Sequence, residues 1–182
     1  ICRKSNGEYY FDNNENNSVG QIHSFYGNFA ILLRAYVYIL SLGDKGLKDM
    51  SRNAIINANY LKNHLSKYFE IPFSEGSLHE FVASGVKQKS KGVKVLDIAK
   101  SLLDYGFHAP TIYFPSNVPE SMMIEPTESE TKETLDRFIE AMNEINELIN
   151  IDPDRIRNAP YGTPVKRLDE TKANRELDLR WK

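Results

Sequence analysis

The chain has 182 residues, 41% hydrophobic and 26% charged, a composition that suits one ordinary globular domain with or without a tail. Lys and Arg number 23 against 25 Asp and Glu, a net charge of −2 that gives no electrostatic case for nucleic acid or an anionic membrane. One cysteine, Cys2, excludes an intrachain disulfide and a cysteine-built metal site, and no apolar run approaches the ~20 residues of a membrane span.

In chain order, residues 1–19 are polar and irregular, with Glu8–Phe11 as a short strand and 12–17 as a surface loop. Phe29, Leu32, Leu33, Tyr36, Val37 and Leu40 follow helical spacing, and Ala30, Ile31, Tyr38 and Ile39 make the opposite face apolar too. A helix apolar all round is expected to be buried, and one 182-residue domain does not easily bury it. Gly43 ends this helix, and Asp44 can cap an amphipathic one that carries Leu47, Met50, Ala54, Ile55, Ala58, Leu61 and Leu65 and ends near Phe69. Leu78–Ser84 reads as a strand, and Lys87–Lys91 as a solvated basic loop between Gly85 and Gly92.

A helix over Val95–Tyr105 is closed by Gly106, and strands follow at Thr111–Phe114 and Ser121–Glu125. Pro126-Thr127 starts the last long helix, with Thr127 and Glu130 at capping-box spacing and Leu135, Phe138, Ile139, Met142, Ile145 and Ile149 as its stripe. From Asp152 the chain reads as an extended tail. The expected architecture is α+β, a small antiparallel sheet with helices on one face. Its parts are an N-terminal loop and buried linking helix (1–43), a compact domain (44–150) and a tail (151–182).

Little in this order announces chemistry. His23, His79 and His108 sit near strands and His64 in a helix, without zinc-site spacing, and His79 and Glu80, adjacent on a strand, point to opposite faces. Phosphate-loop and nucleophile-elbow glycine patterns are absent, and Ser24, Ser84 and Cys2 have no visible base. Carboxylates in Glu125–Glu130 suit a helix start. The most unusual string is Gly106-Phe107-His108-Ala109-Pro110-Thr111, a candidate binding loop with two polar side chains at a strand start.

Several strings together carry a resemblance: Ser24-Phe25-Tyr26-Gly27-Asn28, Asn57-Ala58-Asn59-Tyr60-Leu61, His79-Glu80-Phe81, Leu96–Lys100, Leu103–Thr111, Ile124–Ser129 and Thr163–Glu170. In them the chain resembles the C-terminal region of glycine dehydrogenase (decarboxylating), the P-protein of the glycine cleavage system, and more narrowly the end of subunit 2 of its two-subunit form. The resemblance covers nearly the whole chain.

It implies the small C-terminal domain of a fold type I, aspartate-aminotransferase-like enzyme. That enzyme uses pyridoxal 5'-phosphate to decarboxylate glycine and passes the aminomethyl group to the lipoyl arm of H-protein. The implied partners are an upstream large domain, P-protein subunit 1 and lipoylated H-protein, in the cytoplasm. In the family the cofactor lysine follows a histidine, and no histidine here is followed by lysine. The chain also starts without Met. It is therefore expected to be a piece of a longer protein, to hold no cofactor and to be inactive alone. Family position places His108, Thr111 and His79 toward the substrate carboxylate, and Ser24, Tyr26, Asn28, Glu125 and Thr127 at the pocket or domain interface. Two other readings stay open: the small domain of another fold type I decarboxylase, and a non-catalytic interaction or regulatory domain.

Overall fold

The computed structural model describes residues 2–12, 16–17, 19–22 and 27–180. They fall into two compact units, Ile1–Leu47 and Lys48–Lys182.

The first unit opens with a hairpin of Cys2–Ser5 (β1) and Glu8–Phe11 (β2). Only β2 shows the apolar character of a strand. The turn Asn6-Gly7, at φ 51° and 89°, supplies the left-handed pair that a two-residue hairpin needs and draws the polar Cys2–Ser5 into register. The helical run Phe29–Leu65 (α1) begins here and is broken at Gly43, whose φ of 62° and ψ of −172° only glycine takes without strain. The apolar pattern of Phe29, Leu32, Tyr36, Val37 and Leu40 predicts burial. They are exposed, because among the described residues nothing covers that helix.

The second unit holds the core. Ala54, Ala58, Leu61 and Leu65 form the buried stripe of the later part of α1. The sheet is three-stranded and antiparallel in the order β3-β5-β4, from Phe81–Ser84 (β3), Thr111–Ile112 (β4) and Ser121–Ile124 (β5). Phe81 and Ala83 pair with Ile124 and Met122 on one face and join α1, Val95–Asp104 (α3) and Lys132–Ile151 (α4) in a common core. The fold is thus α+β around an antiparallel sheet, as the sequence suggests.

Five local expectations change. Leu78–Glu80 stay outside β3, and β4 stops at Ile112 because Tyr113 turns to φ 59°. The basic loop contains a helical turn, Val86–Lys89 (α2). Its Gln88 is buried, donating to the Tyr68 carbonyl at 3.0 Å and to Asn146 Oδ1 at 3.1 Å. Counting charge alone hides such an inward amide.

The last long helix starts about a turn later than the Thr127–Glu130 spacing suggests. Thr131 caps α4, its hydroxyl accepting from the Thr134 N–H at 3.2 Å, a bond that stabilises a helix by about 1 kcal/mol. Beyond Asp152 the chain is not simply extended. Pro153–Asn158 (α5) buries Ile156 in the core, and Arg167 ties the following run back by bonds to the Ala159 carbonyl and to Asp97 at 2.9 Å. Glu170–Arg175 (α6) buries nothing.

Candidate functional site

A cavity of about 580 Å³ opens in the second unit at the end of β5. Its walls come from three segments: the Gly106–Thr111 loop leading into β4, the Met123–Pro126 exit of β5 with Glu130, and the first turns of α4. Sheet pairing explains part of this convergence. Thr111 lies opposite Met123, so the loop before β4 and the loop after β5 emerge together. Gly106, at φ 79°, makes the reversal from α3 into the loop. Pro110 keeps its predecessor out of helical conformation, so the chain runs extended into β4.

The floor is apolar, with Leu61, Ile124, Leu135 and Phe138. Phe107 meets Phe138 edge to face, ring centroids 5.2 Å apart at 87°, which fixes the loop's aromatic against α4. The rim after β5 is held from α1: the Asn57 side-chain amide donates to the Thr127 carbonyl at 2.9 Å and reaches the Glu130 carbonyl at 3.4 Å. Asn57 is therefore a positioning residue for the rim.

Of the residues singled out from sequence, His108, Thr111 and Glu125 line this cavity together. His79 stands beside it, with Nε2 3.9 Å from Glu125 Oε1, a contact that becomes an ion pair when the imidazole is protonated. Thr127 is not a wall residue. Its hydroxyl is 2.7 Å from that of Ser129 and its carbonyl is held by Asn57. Asn28 belongs to the first unit, where its Oδ1 accepts from the Ala30 N–H at 3.1 Å and the Ile31 N–H at 3.3 Å and caps α1. Ser24 and Tyr26 lie outside the described residues.

Sequence reading gave no site role to Arg137, Phe107, Glu130 or Asn57, although all but Arg137 lie in strings it singled out. Arg137 carried a usable signal, since α4 has only two lysines or arginines, Lys132 and Arg137, and Arg137 stands between the core residues Leu135 and Phe138. Its Cζ sits 5.7 Å from the centre of the Phe107 ring. Lys132 is instead bound to Asp136 at 2.6 Å, and Asp136 accepts from the Tyr60 hydroxyl at 2.5 Å. These two donors hold the Asp136 carboxyl below its ordinary range, the Lys132 bond contributing most.

The wall therefore offers an imidazole, hydroxyls, a guanidinium and two carboxylates over an apolar floor. No lysine is among its residues, so pyridoxal phosphate, which needs an amine for covalent attachment, does not find its anchor here. Among the described residues no group of His, Cys, Asp and Glu could hold a metal ion, and no helix is long and apolar enough to cross a membrane.

A second cavity, of about 750 Å³, lies between α3, α4 and α5 around Tyr105 and Asp104. Asp104 is already engaged there by the backbone N–H groups of Tyr161 and Gly162, at 2.7 Å and 2.6 Å. Burial, then a hydrogen bond to Glu144, pushes the Tyr105 phenol up to about 12. That cavity has the character of a structural joint between α3 and the chain after α5.

Comparison with known proteins matches residues 50–160 to the family described as glycine dehydrogenase, C-terminal domain. A probable glycine dehydrogenase (decarboxylating) subunit 2 of Staphylococcus epidermidis is 55% identical over 178 residues, which is 98% of this chain and 36% of that protein. The corresponding Bacillus licheniformis protein is 52% identical over 181 residues, 100% of this chain and 37% of the relative. The chain thus spans little more than a third of the length of these curated relatives. Among solved structures, a glycine decarboxylase (P-protein) of the glycine cleavage system in inhibitor-bound form matches with a TM-score of 0.53 and 22% identity, over 62% of this chain and 25% of that one. At that identity the match speaks for the fold.

Proposed function

Because the chain belongs to the glycine dehydrogenase C-terminal domain family, we propose that it forms one wall of the substrate site in a glycine dehydrogenase (decarboxylating) subunit 2. The observation that carries this reading is the gathering of His108, Thr111 and Glu125 around one cavity, in a region matched to that family. In the complete enzyme, pyridoxal 5'-phosphate would supply the electron sink for decarboxylation, held by a lysine outside this chain. The work left to these residues is to bind, orient and dry the substrate. His108 and Thr111 present donors toward a carboxylate, and the apolar floor excludes water as that carboxylate is lost. The architecture fits the small domain of a fold type I enzyme. Glycine is the proposed substrate, and the proposed partners are the upstream large domain, subunit 1 and the lipoyl arm of H-protein.

The test is glycine decarboxylation by the complete two-subunit enzyme with lipoylated H-protein. His108→Ala is expected to raise the KM for glycine about tenfold, the cost of one hydrogen bond to a charged group. Unchanged decarboxylation would remove His108 from the site. The 182-residue chain assayed alone is expected to be inactive.

The exposed apolar helix at Phe29–Leu40 fits the same reading, since it offers the surface on which an upstream large domain would pack. Hydrogen exchange in the complete subunit is expected to show residues 29–40 strongly protected. Fast exchange there would mean that nothing covers the helix.

A further inference from the structure

The second cavity does more than join α3 to the chain after α5. Ser101 lies one turn before Asp104 and Tyr105 in the α3 segment, and all three line it. Ser101 is 2% exposed, and its hydroxyl has no hydrogen-bond partner among the described residues. A buried hydroxyl left unpaired costs stability that alanine in its place would not, and a ligand in the cavity is what would pair it. The charges beside it say of what kind. Asp104, Glu144 and Asp152 line the same cavity, and their partners are neutral: the Tyr161 and Gly162 N–H groups, the Tyr105 phenol and the Arg155 N–H. Asp154 is taken by Arg157. Among the described wall residues Arg155 is the one cation.

Three carboxylates against one guanidinium leave an excess of negative charge, which favours a cation and disfavours an anion. Among the described residues no group of His, Cys, Asp and Glu could hold a metal ion, so the cation that fits is an organic one. Leu148, Ile156 and Ala159 give the wall an apolar part, and about 750 Å³ is more than an ammonium group alone fills. We propose that this cavity binds a primary ammonium carried on an aliphatic stem. The Ser101 hydroxyl accepts from the ammonium, Asp104 and Glu144 balance its charge, and the stem lies against the apolar wall. Two sources carry that group, a free aliphatic amine and the lysine side chain of a protein partner. The assignment is independent of what the first cavity binds.

The test is calorimetric titration of the complete subunit at neutral pH, after borohydride reduction so that no aldehyde is left to take an amine. The probes are n-butylamine, N-acetyl-lysinamide and, as the anionic counterpart, butyrate. Both amines are expected to bind and butyrate is not. Tighter binding of N-acetyl-lysinamide identifies a protein lysine as the natural ligand, and equal or tighter binding of n-butylamine identifies a free amine. Glu144→Gln and Ser101→Ala are each expected to weaken amine binding about tenfold or more, the loss of one bond to a charged group. Ser101→Ala is also expected to leave the urea midpoint unchanged or raised, because it removes an unpaired hydroxyl. A lowered midpoint would show that the hydroxyl serves the fold and would overturn its role in binding. Failure of both amines to bind, butyrate binding as tightly as they do, or amine binding unchanged in both variants would overturn the site.

Discussion

Phe69→Ala is expected to lower the unfolding free energy by about 3–5 kcal/mol, the range for emptying a large aromatic site in a packed core. Phe69 is 1% exposed and stands among the largest fully buried side chains. The backbone around it is held on both sides, which decides where in the range the loss falls. The Phe69 N–H donates to the Leu65 carbonyl at 3.0 Å, and the Tyr68 carbonyl accepts from the buried Gln88 amide at 3.0 Å. A segment pinned this way cannot collapse into the space left behind. Against a total stability of roughly 5–15 kcal/mol, the change would leave a marginal fold. Urea titration of the chain, followed by circular dichroism, measures it, and a loss under about 1 kcal/mol would show a core that repacks freely.

Glu120→Ala is expected to cost about 2 kcal/mol at neutral pH and progressively less in acid. Glu120 precedes β5 at φ 47°, a conformation a non-glycine residue takes only when something compensates. Its side chain is 6% exposed. One carboxylate oxygen receives Lys89 Nζ at 2.7 Å and the other receives the Val95 N–H at 3.0 Å. Burial pushes this carboxyl up, and it is the largest single influence. The Lys89 bond, the Val95 N–H and the charges of Lys89 and Lys94 together outweigh it, so the carboxyl is lowered from 4.5. A lowered folded value means that the contribution is complete above the ordinary carboxylate range and lost as pH falls through the folded one.

Lys89 is raised from 10.5, chiefly by the same hydrogen bond, so its share is complete below that value and fades as pH rises past it. Lys89 itself is 57% exposed, and solvent screens its half of the pair. That screening keeps the expected loss near ~2 kcal/mol rather than at the upper end for a buried pair. Unfolding of wild type and variant in urea at pH 7 and pH 3 reads the difference. A gap that widened at pH 3 would mean that folding raises the Glu120 carboxyl instead of lowering it.

What can be read from sequence follows the range of the interactions. The stripes of α1 and α4 repeat within a few residues, and period alone exposes them. Gly43 and Gly106 announce their breaks for the same local reason. The start of α4 is ambiguous in sequence because Thr127–Glu130 and Thr131–Thr134 both have capping spacing, and Asn57, seventy residues away, holds Thr127 outside the helix. Gln88 looks solvated in sequence because its partners, Tyr68 and Asn146, lie twenty and fifty-eight residues off. The cavity is half legible. The 106–111 string stands out by its own oddity, whereas Arg137 joins it only through packing of Phe107 on Phe138, which no local pattern encodes.

The strand order has a consequence for how the chain is made. β3 and β4 do not bond to each other; each takes β5, the last of the three to leave the ribosome, as its partner strand, and β3 has besides it the single bridge of Ser84 to Glu70. Until residues 121–124 emerge, the apolar edge of β3 has no strand beside it. During that interval of synthesis the nascent chain depends on its helices, or on a chaperone, to keep Phe81 and Val82 from the wrong neighbour.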